Sequence, residues 1–256
     1  MKIDNPAFDY DDKGKHYSYR RETEPTIAEY IYQSLGDAKT VLNVGAGAGS
    51  YEPEDRYVIA VEPSVTMRSQ RLAKGKVPAI NASSDHLPFD DKAFDAVTAF
   101  LTIHHWPDIA KGLSELKRVA TKKVIIMTFD PQALDRYWNA DYFPEVIDVE
   151  KQRYPTIEFV TKTLGDHCKI LEIPVPLNCV DGFQEAFYGR PEAFLDKQIR
   201  MAQSAWGFIP DDQQEIIVRR LADDLASGEW DRKYGFYRTR AEFVCALRLV
   251  IWQSEG

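Results

Sequence analysis

A chain of 256 residues, 44% of them hydrophobic and 12% aromatic, has enough apolar material for one large domain with an inserted cap. Its net charge of −8 offers no general attraction to nucleic acid or anionic lipid, and no stretch approaches the ~20 apolar residues of a membrane span. Met1–Pro6 lacks the apolar segment of a secretory signal, and three cysteines (Cys168, Cys179, Cys245) without C-x-x-C spacing read as thiols of a reducing compartment. The expected location is the cytoplasm, with neither nucleic acid nor membrane as a partner.

Residues 1–24 are polar and tyrosine-rich and read as an arm folded over the body. Ile27, Tyr30, Ile31 and Leu35 then recur at helical spacing, with Pro25 suited to the helix start and Gly36 to its stop. Five strand-like runs follow: Val41–Val44, Tyr57–Val61, Pro78–Asn81, Ala96–Leu101 and Lys123–Phe129. Helical segments separate most of them, notably Ile109–Val119. After Asp130-Pro131 the pattern turns helical over residues 131–168, and a strand-like run covers Ile170–Pro176. Residues 183–233 are helical again, with the stripe Ile216, Ile217, Leu221 and Leu225, and Glu242–Trp252 reads as a last strand. Near-continuous apolar strands alternating with helices predict an α/β protein with a mostly parallel, doubly wound, seven-stranded sheet covered on both faces. The whole of 1–256 reads as a single domain, with helical insertions at 131–168 and 183–233 forming a cap.

The most informative run is Val41-Leu42-Asn43-Val44-Gly45-Ala46-Gly47-Ala48-Gly49-Ser50. A strand feeding such a turn brings bare backbone close to a ligand, because glycine has no Cβ and tolerates φ > 0. Glu62 closes the next strand, where a carboxylate can accept hydrogen bonds from both hydroxyls of a ribose. A nucleoside-containing cofactor is implied. The spacing is G-x-G-x-G, not the dinucleotide G-x-G-x-x-G. Glu52, Glu54 and Asp55 would stand in the first turn of a following helix, where they favour the helix but oppose a pyrophosphate. The run resembles the first motif, V-L-x-V-G-x-G-x-G, of the class I S-adenosylmethionine-dependent methyltransferases, in particular the small-molecule type similar to the ubiquinone and menaquinone biosynthesis enzymes.

That resemblance covers residues 17–130, which it makes the cofactor-binding core of a Rossmann-like fold. It implies S-adenosyl-L-methionine as cofactor, held by Asn43, Gly45, Ala46, Gly47, Gly49, Glu62, Pro63 and Ser64. The segment Asn81-Ala82-Ser83-Ser84-Asp85-His86-Leu87-Pro88-Phe89 is similar to the family's G-D-A-E-x-L-P-F, whose acidic residue and a backbone N–H contact the adenine. Ser83 stands at the acidic position, so Ser83, Ser84 and Asp85 are expected there with the backbone contact retained. Phe94–Trp106 is similar to the family's fourth-strand motif, with Phe100 near the methionine end and the pair His104-His105 beyond it. Tyr17-x-x-x-Arg21-x-x-x-Pro25 resembles the family's entry to the first helix, and implies Tyr17 at the cofactor and Arg21 on its carboxylate.

Methyl transfer asks for alignment and exclusion of water, and a base helps when the acceptor is a hydroxyl or acidic carbon. His105 is the expected base, whereas strand alternation turns His104 away. Tyr19, Trp106, Trp138 and Tyr142, with Phe129, Phe143, Tyr188 and Trp206, are the expected walls of a small-molecule acceptor pocket, to which aromatic faces bring attraction for a sulfonium. The histidines show no metal-ligand spacing and no metal is expected. Two alternatives share some of these signals. A non-catalytic cofactor-binding regulator is kept open by Asn43 and Ser83, both at usually acidic positions. A nicotinamide-dependent oxidoreductase would need the third glycine one position later.

Overall fold

The computed structural model describes residues 21–255. Among them β1 (Thr40–Val44), β2 (Tyr57–Val61), β3 (Phe94–Phe100), β4 (Ala120–Phe129), β5 (Cys168–Glu172) and β8 (Leu247–Gln253) form one sheet in the order β2-β1-β3-β4-β8-β5. The first four pair in parallel, and β8 runs antiparallel to both β4 and β5. A separate ribbon pairs β6 (Val175–Pro176) with β7 (Glu242–Phe243).

The sheet therefore has six strands where seven are expected. The Pro78–Asn81 run joins its edge only as a bridge, in which Ile80 donates to Ala60 O and accepts from Glu62 N. Pro78 has no N–H to extend the ladder. The two downstream runs are also shorter than expected: Pro174 lies between β5 and β6, and three residues without strand pairing separate β7 from β8.

Helices α1 (Pro25–Leu35), α2 (Val65–Ala73), α3 (Ile109–Val119) and α6 (Ile157–Leu164) flank the sheet. Each starts where a side chain satisfies an orphan N–H: Glu24 accepts from Thr26 N, Ser64 from Met67 N, Asp108 from Lys111 N and Thr156 from Phe159 N. Alternation along the strands sends Val41, Ala96, Ile125 and Met127 into the core against Ile27, Ile31 and Leu35. Their neighbours Leu42, Val97, Val124 and Ile126 face the other way, against Leu113, Leu116, Val119 and Val160. The first of these cores continues into the remaining helices, α4 (Asn139–Tyr142), α5 (Pro144–Arg153), α7 (Lys197–Met201), α8 (Asp211–Ser227) and α9 (Glu229–Tyr234).

The largest departure from expectation lies between β1 and β2. Residues 45–56 join these parallel strands without a helix, although such a crossover usually contains one. Gly45, Gly47, Gly49 and Tyr51 all have φ between 51° and 93°, and a run of left-handed residues cannot propagate a right-handed helix. Glu52, Glu54 and Asp55 thus face no helix dipole, and no helix end sets their charge against a pyrophosphate.

Candidate active site

The glycine turn is held by the strand beside it. Gly45 N and Ala46 N both donate to Val61 O, at 2.9 and 3.0 Å. Glu62 ties the two strand ends together: Gly47 N donates to its Oε2 at 2.8 Å and Ser64 N to its Oε1 at 2.9 Å. An ionised carboxylate accepts about four hydrogen bonds, and these two contacts orient the group. A Cβ built on Gly45 would lie 2.2 Å from Thr102 Oγ1, whereas one on Gly47 would meet only Met67 Cε, at 3.3 Å. Gly47 is thus the point where the turn is bare. Pro63 presents its carbonyl to Arg68, and Ser64 caps α2.

Beneath the turn lies a buried polar network. Glu52 receives Arg71 Nη1 and Nη2 at 2.7 and 2.9 Å and Asn43 Nδ2 at 3.0 Å. Thr98 Oγ1 donates to Asn43 Oδ1 at 3.4 Å. The Asn43 side chain, expected at the cofactor, is therefore turned into the protein and only 2% exposed. The network also accounts for its being an amide. An aspartate there would set a second carboxylate about 3 Å from Glu52, a repulsion that a donor NH₂ replaces with attraction.

The Ser83–Phe89 turn is clamped onto α3. Leu87 N donates to Glu115 Oε2 at 3.0 Å, and Arg118 donates to Leu87 O and Phe89 O. The Arg118 guanidinium also holds the Glu115 carboxyl down at about 2. Ser83 O accepts from His86 N, and Ser84 is buried near Gly112 while Asp85 is part-exposed.

Beyond β3 the backbone breaks its alternation: Leu101 has φ 51° and a 3-10 turn spans Ile103–His105. That break reverses the expected order of the histidines. His104 lines a cavity at the C-terminal ends of β3 and β4, together with Leu101, Phe129, Tyr154 and Glu150. Its ring is 3.8 Å from that of His105 and 4.0 Å from Tyr154. His105 Nδ1 lies 2.9 Å from Arg153 Nη2. A guanidinium only donates, so this nitrogen is the acceptor and the neutral ring carries its proton on Nε2. Burial pushes both histidines well below the usual imidazole range, with Arg153 adding to it. His105, expected as the base, thus has its Nδ1 lone pair engaged.

Other expected site residues take structural positions. Arg21 borders the cavity but forks onto Asp181, Nε to Oδ1 at 2.6 Å and Nη2 to Oδ2 at 3.2 Å, and Tyr51 Oη donates to the same carboxylate at 2.8 Å. Trp106 packs on Gly112 of α3, on the opposite face of the sheet from Phe129. Trp138 and Tyr142 are buried in the aromatic core of the insertion rather than lining the cavity. Trp138 meets Phe194 and Trp230 edge to face and donates to Tyr188 O, and Tyr142 donates to Asp224 Oδ2 at 2.6 Å. Phe100 packs against Tyr51, with ring centroids 6.1 Å apart. Tyr17 and Tyr19 lie outside the described residues. Among those described, no cluster of His, Cys, Asp or Glu could hold a metal ion, and no helix is long and apolar enough to cross a membrane.

Sequence reasoning missed Glu150, Arg153, Asp181 and Gln203. Glu150 and Arg153 sit in Glu150-Lys151-Gln152-Arg153, which has the composition of a solvated helix face.

Residues 42–128 match the methyltransferase domain family. The demethylmenaquinone methyltransferase of Mycolicibacterium gilvum is 30% identical over 110 residues, 41% of this chain and 45% of that protein. The enzyme of the same name from Roseiflexus castenholzii is 27% identical over 135 residues, 48% of this chain and 56% of that one. The chain thus spans about half the length of these curated relatives. A crystal structure from Anabaena variabilis, described as a candidate methyltransferase from an antibiotic biosynthesis pathway, is 27% identical with a TM-score of 0.84 and covers 91% of this chain and 98% of that one. Residues 42–128 are thus similar to the methyltransferase domain family, and the fold is that of the class I S-adenosylmethionine-dependent methyltransferases.

Proposed function

We propose that this chain transfers a methyl group from S-adenosyl-L-methionine to a small-molecule acceptor bound in the cavity beside His104. The carrying observation is the pairing of the bare turn at Gly47 with Glu62, held at adjacent strand ends by the Gly47 N–H. Ligands of open α/β sheets bind outside the carboxyl ends of the strands, and both this pair and the cavity lie there. Glu62 accepts from the ribose hydroxyls, and Gly45, Ala46, Gly47 and Gly49 let the cofactor approach the backbone. Pro63 and Ser64 border the ribose, Phe100 faces the methionine end, and Ser83, Ser84 and Asp85 border the adenine through backbone contacts.

When bound, the cofactor supplies a methyl already activated on a sulfonium. The protein's part is to hold the acceptor in line and keep water out. The aromatic helices over Phe129 and Leu101 serve both ends, and their buried rings leave a confined acceptor space. A small acceptor also agrees with the demethylmenaquinone methyltransferases among the relatives.

Calorimetry with S-adenosylmethionine and S-adenosylhomocysteine tests the assignment: both bind, and Glu62→Ala weakens them by roughly 10–100-fold, the worth of hydrogen bonds to a charged acceptor. Equal affinity in that variant removes the ribose role from Glu62. Turnover of a metabolite panel with labelled cofactor distinguishes an enzyme from a silent binder.

A further inference from the structure

The cavity beside His104 has a polar lining that the reading above leaves unused. Its walls are apolar or aromatic, among them Leu101, Phe129, Ile147 and Phe183. Set into those walls, Glu150 Oε2, His104 Nδ1, Gln184 Oε1 and Gln203 Oε1 have no hydrogen-bond partner. Glu150, His104 and Gln203 are each at least nine-tenths buried. Leaving such groups unmade is costly, and four in one cavity mark the place of a ligand.

Three of the four are oxygens that accept, and His104 Nδ1 accepts when the neutral ring carries its proton on Nε2. Gln184 Nε2 donates to Asn139 Oδ1 at 2.7 Å and Gln203 Nε2 to Ile199 O at 3.3 Å. Both amides thus keep their oxygen, the acceptor, for the cavity. Glu150 accepts only, when ionised. Burial lifts its carboxyl to about 7 while Arg153 and Arg21 pull it down, so the ionised form is accessible near neutrality. Arg153 comes no closer than 3.9 Å to Oε2 and donates instead to Ser204 Oγ and His105 Nδ1. Arg21 is forked on Asp181. Both guanidinium groups near Glu150 are therefore directed at protein, and the unmet oxygens of the cavity call for donors.

Resting on the methyltransferase reading, we infer that the cavity selects an acceptor whose head group donates hydrogen bonds, a hydroxyl or an amine, to Glu150 and His104. Glu150 is its specificity-determining residue. Acceptors headed by a carboxylate or phosphate would face the Glu150 charge and two amide oxygens that offer them nothing.

The test uses the full chain loaded with S-adenosylhomocysteine and four small ring probes: phenol, benzylamine, benzoate and toluene, titrated by ligand-observed NMR. Phenol or benzylamine is expected to bind roughly tenfold or more tighter than toluene, with benzoate weakest, and the tighter of the two names the donor as hydroxyl or amine. Glu150→Leu removes that preference while toluene and S-adenosylhomocysteine affinities stay unchanged, and His104→Phe lowers it in part. If Glu150→Leu fails to fold, Gln203→Leu gives the same comparison. The inference is overturned if benzoate matches the donor probes, if toluene does so in the unaltered chain, if no probe binds the loaded protein, or if the preference survives in the variants. Failure of S-adenosylhomocysteine itself to bind overturns the underlying reading instead.

Discussion

The glycine-turn half and the insertion half solve the problem of a binding surface in opposite ways. Around Gly45–Glu62 the working groups are backbone N–H groups and one carboxylate, and each is tied to a neighbour on an adjacent strand. Around His104 and Glu150 they are side chains from distant segments, several left without a partner. A backbone surface can be built only by residues with particular torsional freedom, so it leaves a mark in the sequence. A side-chain surface can be assembled from residues that look ordinary where they stand.

Four measurements sharpen or break that contrast. The largest effect is expected at Glu52, beneath the turn. Glu52→Ala leaves Arg71, 1% exposed, without its carboxylate, and removing one partner of a buried pair costs about 3–5 kcal/mol. Chemical denaturation reads it directly. The apolar pair Glu52→Leu with Arg71→Met should recover much of the loss, and if it does not, the network is more than a charge pair.

Next comes Gly45→Ala, which combines a positive φ with a Cβ 2.2 Å from Thr102 Oγ1. Together these cost about 3 kcal/mol. Adding Thr102→Ala relieves the crowding and leaves the torsional part, and no recovery in the double variant means the clash is not the cause.

The third concerns pH in the insertion half. Glu150 is lifted from 4.5 to about 7, so the folded state holds this proton more tightly than the unfolded chain. Its contribution is fully present below about pH 4.5 and is lost as pH rises through 7. Glu150→Gln lacks that dependence and should gain about 2–3 kcal/mol on the parent between pH 4.5 and 8. Urea melts at both ends of the range check this, and an unchanged difference between the proteins would show that the carboxyl is not strained by burial. Glu185, lifted likewise to about 7, is the control that must keep its own slope.

The smallest effect is expected at Gly228, the left-handed stop of α8. Its φ of 78° matches Gly45, but nothing lies within 4 Å of an added Cβ. Gly228→Ala should therefore cost only about 1 kcal/mol. A thermal melt that places it level with Gly45→Ala would remove crowding from the account.

The same contrast sets what could be read in advance. β1, β2, α1, the glycine turn and Glu62 were legible because Pro25, Gly36 and the three alternating glycines each meet a backbone requirement that few residues satisfy. The missing crossover helix was not, since the left-handed conformation of Tyr51, a non-glycine residue, carries no mark in the sequence. His104 was assigned away from the cavity by an alternation that ends at Leu101. Trp138 and Tyr142 illustrate a further gap: an aromatic side chain serves a core and a binding wall equally well, and only the fold distinguishes them. Glu150 and Gln203 carried no local signal, because what sets them apart is the partner each lacks.

The position of β8 has a consequence for how the chain is made. It lies between β4 and β5, with Lys123–Phe129 paired to Leu247–Gln253. On the ribosome β1 to β4 can pair as they emerge, but the open side of β4 waits for more than a hundred further residues before its neighbour is synthesised. Throughout that interval an apolar strand edge and the ring-rich middle segment are both uncovered, the condition in which nascent chains associate wrongly. Translation speed over residues 130–253, and chaperones met during it, should govern the yield of folded protein more than any contact at the glycine turn.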